Sequence, residues 1–210
     1  MSSLPPSDAR SPAEPGGEPD AGLNLASVIH LRGIALLEAL ERHAPELIEH
    51  ADATGSYAFA AAAELGLDRP RAQAVREAAR LHDIGKVYVP AQILAKPAAE
   101  LSAAEREQLE AQHEAAYRLA LGAAIPEPVC DWLRHLGERS GAGARAAPLE
   151  SRIIRAACAC HTLLVAPPPR AARGGAARRE AAIAGLRAAS GGELDPDVVR
   201  ALAAVLSRAG

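Results

Sequence analysis

The most informative segment of this chain is Leu81-His82-Asp83-Ile84-Gly85-Lys86. An imidazole and a carboxylate are adjacent in it, and adjacent residues of a helix point to different faces. His82 and Asp83 therefore serve one metal ion only if a helix ends there and the chain turns. Gly85 is predicted to make that end, because glycine readily takes the left-handed conformation that closes helices. Upstream, residues 71–81 are predicted to form a helix opened by Pro70 at its first position.

Two more histidines fall on predicted helices. The helix predicted over residues 45–65 carries Glu46 and His50 one turn apart, so a carboxylate and an imidazole share one face. A later helix, predicted over residues 102–121 with a Ser-Ala-Ala-Glu capping box at its start, carries His113. Each histidine also has a plainer interpretation: His50 as a half-buried packing residue, and His113 as part of a solvated polar face.

The second half of the chain adds three candidate ligands. A short helix predicted over residues 127–136 carries His135. A helix predicted over residues 149–164 carries Cys158 and His161, which are three residues apart and share a face. Cys160 points elsewhere, so the two thiols of the Cys-Ala-Cys sequence are not expected to bind one metal ion together. The alternative for Cys158 is a small buried apolar residue, which is the usual role of a free cysteine.

Composition limits the classes of protein and of partner. The 210 residues suit one domain with a tail, and we predict a disordered segment at 1–20 followed by one domain over 21–210. The formal net charge of −3 gives no electrostatic reason to bind a nucleic-acid polymer. No apolar run is long enough to span a membrane. Three cysteines without an export signal favour a cytoplasmic protein.

The central stretch resembles the signature of the HD-domain metal-dependent phosphohydrolases. Its continuation, Val87-Tyr88-Val89-Pro90 and then Ile93-Leu94-Ala95-Lys96-Pro97, is similar to the HD-GYP branch, whose members are cyclic di-GMP phosphodiesterases. The closing residues 195–202 also resemble that branch, so the likeness extends from about Ala44 to the end. The resemblance implies an all-α bundle of about seven helices around a metal centre.

The resemblance also implies roles for individual residues. It implies a divalent transition metal, iron, manganese or zinc, with two ions expected and one or none if ligands are missing. His50 and His82 match ligands of the first ion, Asp83 bridges, and His113, joined by His135, holds the second. Lys86 matches a lysine near the phosphate or the attacking water. Further candidates are Glu46, Cys158 and His161 as ligands, and Arg170 as a substrate-binding residue.

The chain departs from the HD-GYP pattern between residues 135 and 170. Leu136 and Gly137 stand where relatives have a histidine pair, and the Gly-Tyr-Pro loop is reduced to residues 143–145, Gly-Ala-Arg. Cys158 stands where relatives have an aspartate that completes the first metal site, and His161 stands where they have a second aspartate. A Cys158 thiolate would favour a softer ion such as zinc or iron.

Three functions follow from these observations. The first is a metal-dependent phosphodiesterase in signalling that cleaves cyclic di-GMP or a related nucleotide. The second is a degenerate domain that binds a ligand or a protein partner without turnover. The third is an HD phosphohydrolase acting on another nucleotide, such as an alarmone phosphate.

Overall fold

The computed structural model describes residues 24–137, 147–166 and 174–208, which form helices and contain no β-strand. The prediction of an all-α fold is confirmed. The α-helices are α1 (Leu25–His43), α2 (Glu46–Glu64), α3 (Arg69–Arg80), α4 (Ala91–Leu94), α5 (Ala103–Glu110), α6 (Gln112–Gly122), α7 (Glu127–Arg134), α8 (Leu149–Val165), α9 (Gly175–Ala189) and α10 (Pro196–Arg208). Three 3-10 helices (Ile84–Tyr88, Ala98–Glu100 and His135–Gly137) lie between them.

Side-chain caps fix where several helices begin. Asp68 accepts a hydrogen bond from the Arg71 amide at 2.8 Å and opens α3. The predicted capping box opens α5, since Ser102 and Glu105 each bind the other's backbone amide. Asp195 accepts from the amide of Asp197 at 2.7 Å and opens α10. These caps satisfy amides that have no partner within the helix.

Helix α2 lies at the centre of the bundle, where it packs against α3, α8 and α10. Its contact with α3 is built mainly from small residues, and alanines of both helices are buried. A Cβ added at Gly55 would lie 2.9 Å from Cγ of Arg80 and 3.1 Å from the Arg76 carbonyl oxygen. The two helices therefore approach closely near the end of α3, which brings His50 on α2 towards the turn that follows α3.

The segment predicted as one helix over residues 102–121 is divided at Ala111, and this prediction is wrong in that respect. The two halves follow different partners. Leu109 of α5 packs on a small separate cluster of Val89, Ile93 and Leu101. Helix α6 instead packs against the 3-10 helix Ile84–Tyr88 and the main core.

Some expectations fall on other parts of the chain. The predicted disordered segment at 1–20, the Gly-Ala-Arg remnant at 143–145 and the candidate Arg170 lie outside the described residues. Among the helices that the structure describes, none has both the length and the apolar composition needed to cross a membrane.

Candidate metal centre

His82 and Asp83 lie in a turn directly after α3. Helix α3 ends at Arg80, and the 3-10 helix begins at Ile84. Both side chains are buried, with 4% and 2% of their residue surface exposed. The turn lets them face the same space, and His82 Nε2 lies 3.3 Å from Asp83 Oδ2. The expected helix end is therefore present just before His82.

Gly85 has a different function from the predicted one. The φ angle of Gly85 is not positive, so this residue does not end α3 in a left-handed conformation. It lies within the 3-10 helix, where an added Cβ would be 1.8 Å from the Gln112 carbonyl oxygen and 2.7 Å from the Ala116 amide nitrogen. Gly85 is required because the backbones of this turn and of α6 touch.

His50 on α2 completes a pair of imidazoles. Its Nε2 lies 3.3 Å from Nε2 of His82 and 3.8 Å from Oδ2 of Asp83. The two rings are tilted by 50° with centroids 5.1 Å apart, so they converge through their nitrogens and do not stack. Thr54, one turn further along α2 and fully buried, places Oγ1 3.5 Å from the same nitrogen.

Cys158 on α8 closes the group from the other side, with Sγ 3.5 Å from Nε2 of His50. One atom each of His50, His82 and Cys158 lies within 4.8 Å of the other two. In a tetrahedral zinc site, nitrogen ligands at 2.0–2.1 Å and sulfur at 2.3 Å from the ion lie about 3.3–3.6 Å from one another. The nitrogen–nitrogen and nitrogen–sulfur distances at His50 fit that geometry, so these residues fit a metal ion.

Hydrogen bonds at the outer nitrogens turn both imidazoles inward. Nδ1 of His82 donates to the Ala79 carbonyl at 2.7 Å. Nδ1 of His50 lies 2.8 Å from Nδ1 of His161. Metal-binding histidines commonly donate their second ring N–H to such a partner, which fixes the tautomer and frees the other nitrogen for the ion.

Opposite charges are concentrated in this buried space. Burial opposes ionisation of Asp83, but the charges of His82 and Lys86 outweigh it and lower the pKa of its carboxyl group. Burial likewise opposes the imidazolium of His82, yet Asp83 and Cys158 raise its pKa to about 9. Burial also disfavours the Cys158 thiolate, but the charge of His82 and the contact with the His50 ring lower its pKa to about 6.

Cys160, two residues along α8, has the opposite environment. It is fully buried, and desolvation raises its thiol pKa to about 12. It therefore behaves as a small apolar core residue. As predicted, Cys158 and Cys160 do not face the same site.

Lys86 forms an ion pair with Asp83, the carboxylate of the site. Its Nζ donates to Asp83 Oδ2 at 2.7 Å, and its side chain is about one-fifth exposed. The 3-10 helix makes this contact possible, because residues three apart face the same side of a three-residue turn. The pair places a cation beside Asp83 at the side that solvent reaches.

The remaining candidates are not members of this three-residue group. Burial lowers the pKa of His113 to about 4, and its ring is contacted by Gln112 Nε2 at 3.0 and 3.1 Å. His135 donates from Nδ1 to the Asp131 carbonyl at 2.8 Å. Neither joins the three-residue group in the described part of the chain, and Glu46 is exposed at the start of α2.

The sequence analysis missed one residue near the candidate metal group and expected a different role for another. Thr54 is not among the candidates, although its position four residues after His50 places it on the same helix face. His161 is expected as a ligand, whereas its described contact is with the outer nitrogen of His50. No spacing rule distinguishes these two roles, because the contact depends on how α2 and α8 pack.

The HD domain family model matches residues 47–163, more than half of the chain, and includes all three residues of the group. The chain therefore belongs to the HD domain family. Two solved structures share the fold. The HD domain of the L. monocytogenes phosphodiesterase PgpH has a TM-score of 0.61 and 16% identity, covering 84% of this chain and 99% of that one. The same domain in complex with cyclic-di-AMP has a TM-score of 0.62 and 16% identity, covering 83% and 94%. No curated protein matches the sequence.

Proposed function

We propose that this protein is a metal-dependent phosphohydrolase that cleaves a phosphodiester bond of a cyclic dinucleotide. The observation that carries the proposal is the convergence of His50 Nε2, His82 Nε2 and Cys158 Sγ beside the Asp83–Lys86 pair. Membership of the HD domain family supports a hydrolase, because the HD signature is the part of the sequence that implies this activity.

Three protein ligands suit a catalytic ion better than a structural one. Structural zinc sites are closed by four protein ligands, whereas catalytic sites keep one position for water or substrate. A bound divalent ion would supply a Lewis acid for the phosphoryl group and would lower the pKa of a bound water. Two nitrogens and one sulfur favour zinc or iron over manganese. The described residues form one such group, so we infer one ion where the sequence indicates two.

Asp83 and Lys86 have complementary functions in this proposal. Asp83 presents Oδ2 next to both imidazoles and is kept ionised by the surrounding positive charge. It can therefore orient a water molecule or contribute an oxygen ligand. Lys86 holds that carboxylate at 2.7 Å and carries its charge towards the solvent side, where it can neutralise a phosphoryl oxygen of the substrate.

Two observations support a cyclic dinucleotide as the substrate class. The sequence after Lys86 resembles the HD-GYP branch, which implies cyclic di-GMP. The PgpH domain that shares this fold binds cyclic-di-AMP. Both compounds present a ring of two phosphodiesters, so the shared chemistry is a doubly charged cyclic substrate, and the base is to be determined by assay.

The presence of a cysteine at position 158 supports a second candidate function. Cys158 stands where the family resemblance implies an aspartate, so the site has exchanged a hard ligand for a soft one. A domain that binds an ion and a nucleotide without turnover, and signals to a protein partner, is consistent with that exchange. The two functions differ in turnover and share the metal centre.

The test uses the full chain purified without oxygen. Metal content is measured first, and cyclic di-GMP, cyclic di-AMP and a guanosine tetraphosphate alarmone are then each incubated with the protein and separated by chromatography. Cleavage of a cyclic dinucleotide that disappears in His82→Ala supports the proposal. Cleavage of the alarmone alone contradicts the substrate class. A bound ion with no cleavage of any compound contradicts turnover and leaves the binding function, which calorimetry with the same compounds then measures.

A further inference from the structure

His161 contacts the metal centre through another residue. It lies one turn after Cys158 on α8, and its Nδ1 is 2.8 Å from Nδ1 of His50 on α2. The rings are tilted by 48° with centroids 5.0 Å apart, so the contact runs nitrogen to nitrogen. Helix α8 thus reaches His50 twice, since Cys158 Sγ lies 3.5 Å from the opposite ring nitrogen.

The two nitrogens of this contact cannot both carry a proton, and one must donate to the other. Nε2 of His50 faces Nε2 of His82 at 3.3 Å, inside the candidate metal group. A nitrogen that binds a metal must offer a lone pair, so the ring proton of a neutral His50 has to reside on Nδ1. Nδ1 of His50 then donates, and Nδ1 of His161 accepts.

We propose that His161 is a positioning residue that fixes the tautomer and orientation of His50 by accepting its Nδ1–H. The carbonyl of Ala79 serves His82 in the same way at 2.7 Å. His161 therefore lies outside the ligand set and supports it, and α8 supplies both a ligand and the partner that orients a second ligand. The inference rests on the metal centre of the proposed function and does not require turnover.

Three variants separate this function from a ligand function and from simple packing. His161→Ala removes the acceptor. His161→Asn restores it, because the amide oxygen of asparagine and Nδ1 of histidine are both bonded to Cγ and occupy similar positions. Thr162→Ala is the matched control, since the neighbouring Thr162 is exposed and, among the described residues, bonds to its own helix at the Cys158 carbonyl.

Metal binding is measured by titrating the metal-free protein with Co²⁺, whose thiolate charge-transfer absorption reports Cys158 directly. We expect His161→Ala to keep one ion and the thiolate absorption but to bind about 10–100-fold more weakly, as loss of an outer partner does. His161→Asn should recover most of that affinity, and Thr162→Ala should equal the parent. Equal affinity of all variants would overturn the proposal. So would loss of the ion in both His161 variants, which would make His161 a ligand, or equal weakening by Thr162→Ala.

A second measurement does not require a bound metal. Two-bond ¹H–¹⁵N spectra of the metal-free protein distinguish histidine tautomers, and the His50 signals are assigned by their absence in His50→Gln. The parent and His161→Asn should show His50 protonated at Nδ1, and His161→Ala should show a shift towards the Nε2–H form. An unchanged tautomer in His161→Ala contradicts the inference. If the parent binds no metal, the proposed function fails while this measurement still decides the role of His161.

Discussion

The two sides of the candidate metal centre differ in how they relate to the HD signature. The side built by α2 and the turn after α3 carries His50, His82 and Asp83, each of the residue type that the signature implies. The side built by α8 carries Cys158 and His161, where the resemblance implies two aspartates. Both sides nevertheless meet within hydrogen-bonding distance at His50. The two helices that face His50 therefore differ in how far they depart from the HD signature, although both place a side chain within reach of the same imidazole.

The largest expected effect is on the retained side. His82→Ala should abolish stoichiometric metal binding and all cyclic dinucleotide cleavage, because it removes a buried ligand and leaves Asp83 without its nearest imidazole. Elemental analysis and the chromatographic assay measure the two losses. His30→Ala on α1, an exposed histidine paired with Glu77, is the matched control and should retain both. An intact metal count in His82→Ala would show that the retained side does not hold the ion.

The next largest effect is expected at the backbone contact between Gly85 and α6. Gly85→Ala should destabilise the fold by at least about 1–3 kcal/mol, because its methyl group would meet the Gln112 carbonyl at 1.8 Å. Gly122→Ala is the matched control, since a Cβ there meets no neighbouring atom of the described residues within 4 Å and removes only unfolded-state freedom. Chemical denaturation of both proteins measures the difference. Equal stability of the two variants would contradict the close contact.

The side built by α8 is tested by restoring the aspartate that the family resemblance implies at position 158. Cys158→Asp replaces the soft ligand by a hard one and should move the preference of the site from zinc towards manganese. Competition between the two ions, followed by elemental analysis, measures that preference, and the Co²⁺ thiolate absorption should disappear. Cys160→Ala is the control, because that thiol is buried away from the group. Retention of the thiolate absorption in Cys158→Asp would show that Cys158 is not a ligand.

The smallest expected effect concerns what holds α8 in place. Arg152 of α8 is paired with the buried carboxylate of Asp195, whose pKa lies below its usual value: burial raises it, but the bonds from Arg152 and the α10 amides prevail. Because the folded-state pKa is lowered, the stabilisation is present above the unfolded value of about 3.9 and is lost as the pH falls through the folded value.

Asp195→Asn keeps an oxygen acceptor for the α10 amides but loses the charge. It should therefore cost about 1 kcal/mol near neutral pH, the difference between a hydrogen bond to a charged group and one to a neutral group. The parent and the variant should converge in stability in acid. Urea denaturation across the pH range measures the convergence, and a constant difference between the two proteins would contradict it.

Local signals in the sequence predict much of this molecule. The capping box at Ser102 and the end of α3 follow from residues near one another in the chain, and the structure contains both. The function of Gly85 is not predictable in the same way. Glycine serves both left-handed turns and close backbone contacts, and only the position of α6 decides between them.

The candidate site shows the same division. The shared helix face of Cys158 and His161 follows from their spacing, and both residues do reach His50. Which of them presents an atom to the metal group depends on the distance between α2 and α8 and on the side-chain rotamers. The divided helix at Ala111 likewise reflects two hydrophobic clusters that no local pattern distinguishes.

The contact between Gly85 and α6 has a consequence for the variability of this domain. The turn that carries Asp83 rests on main-chain atoms of Gln112 and Ala116. Main-chain atoms are common to every amino acid, so outward-facing substitutions along α6 leave the support of the turn unchanged. The position of the Asp83 carboxylate is therefore insulated from sequence drift on the helix beneath it, at the cost of a single position, 85, that tolerates no side chain.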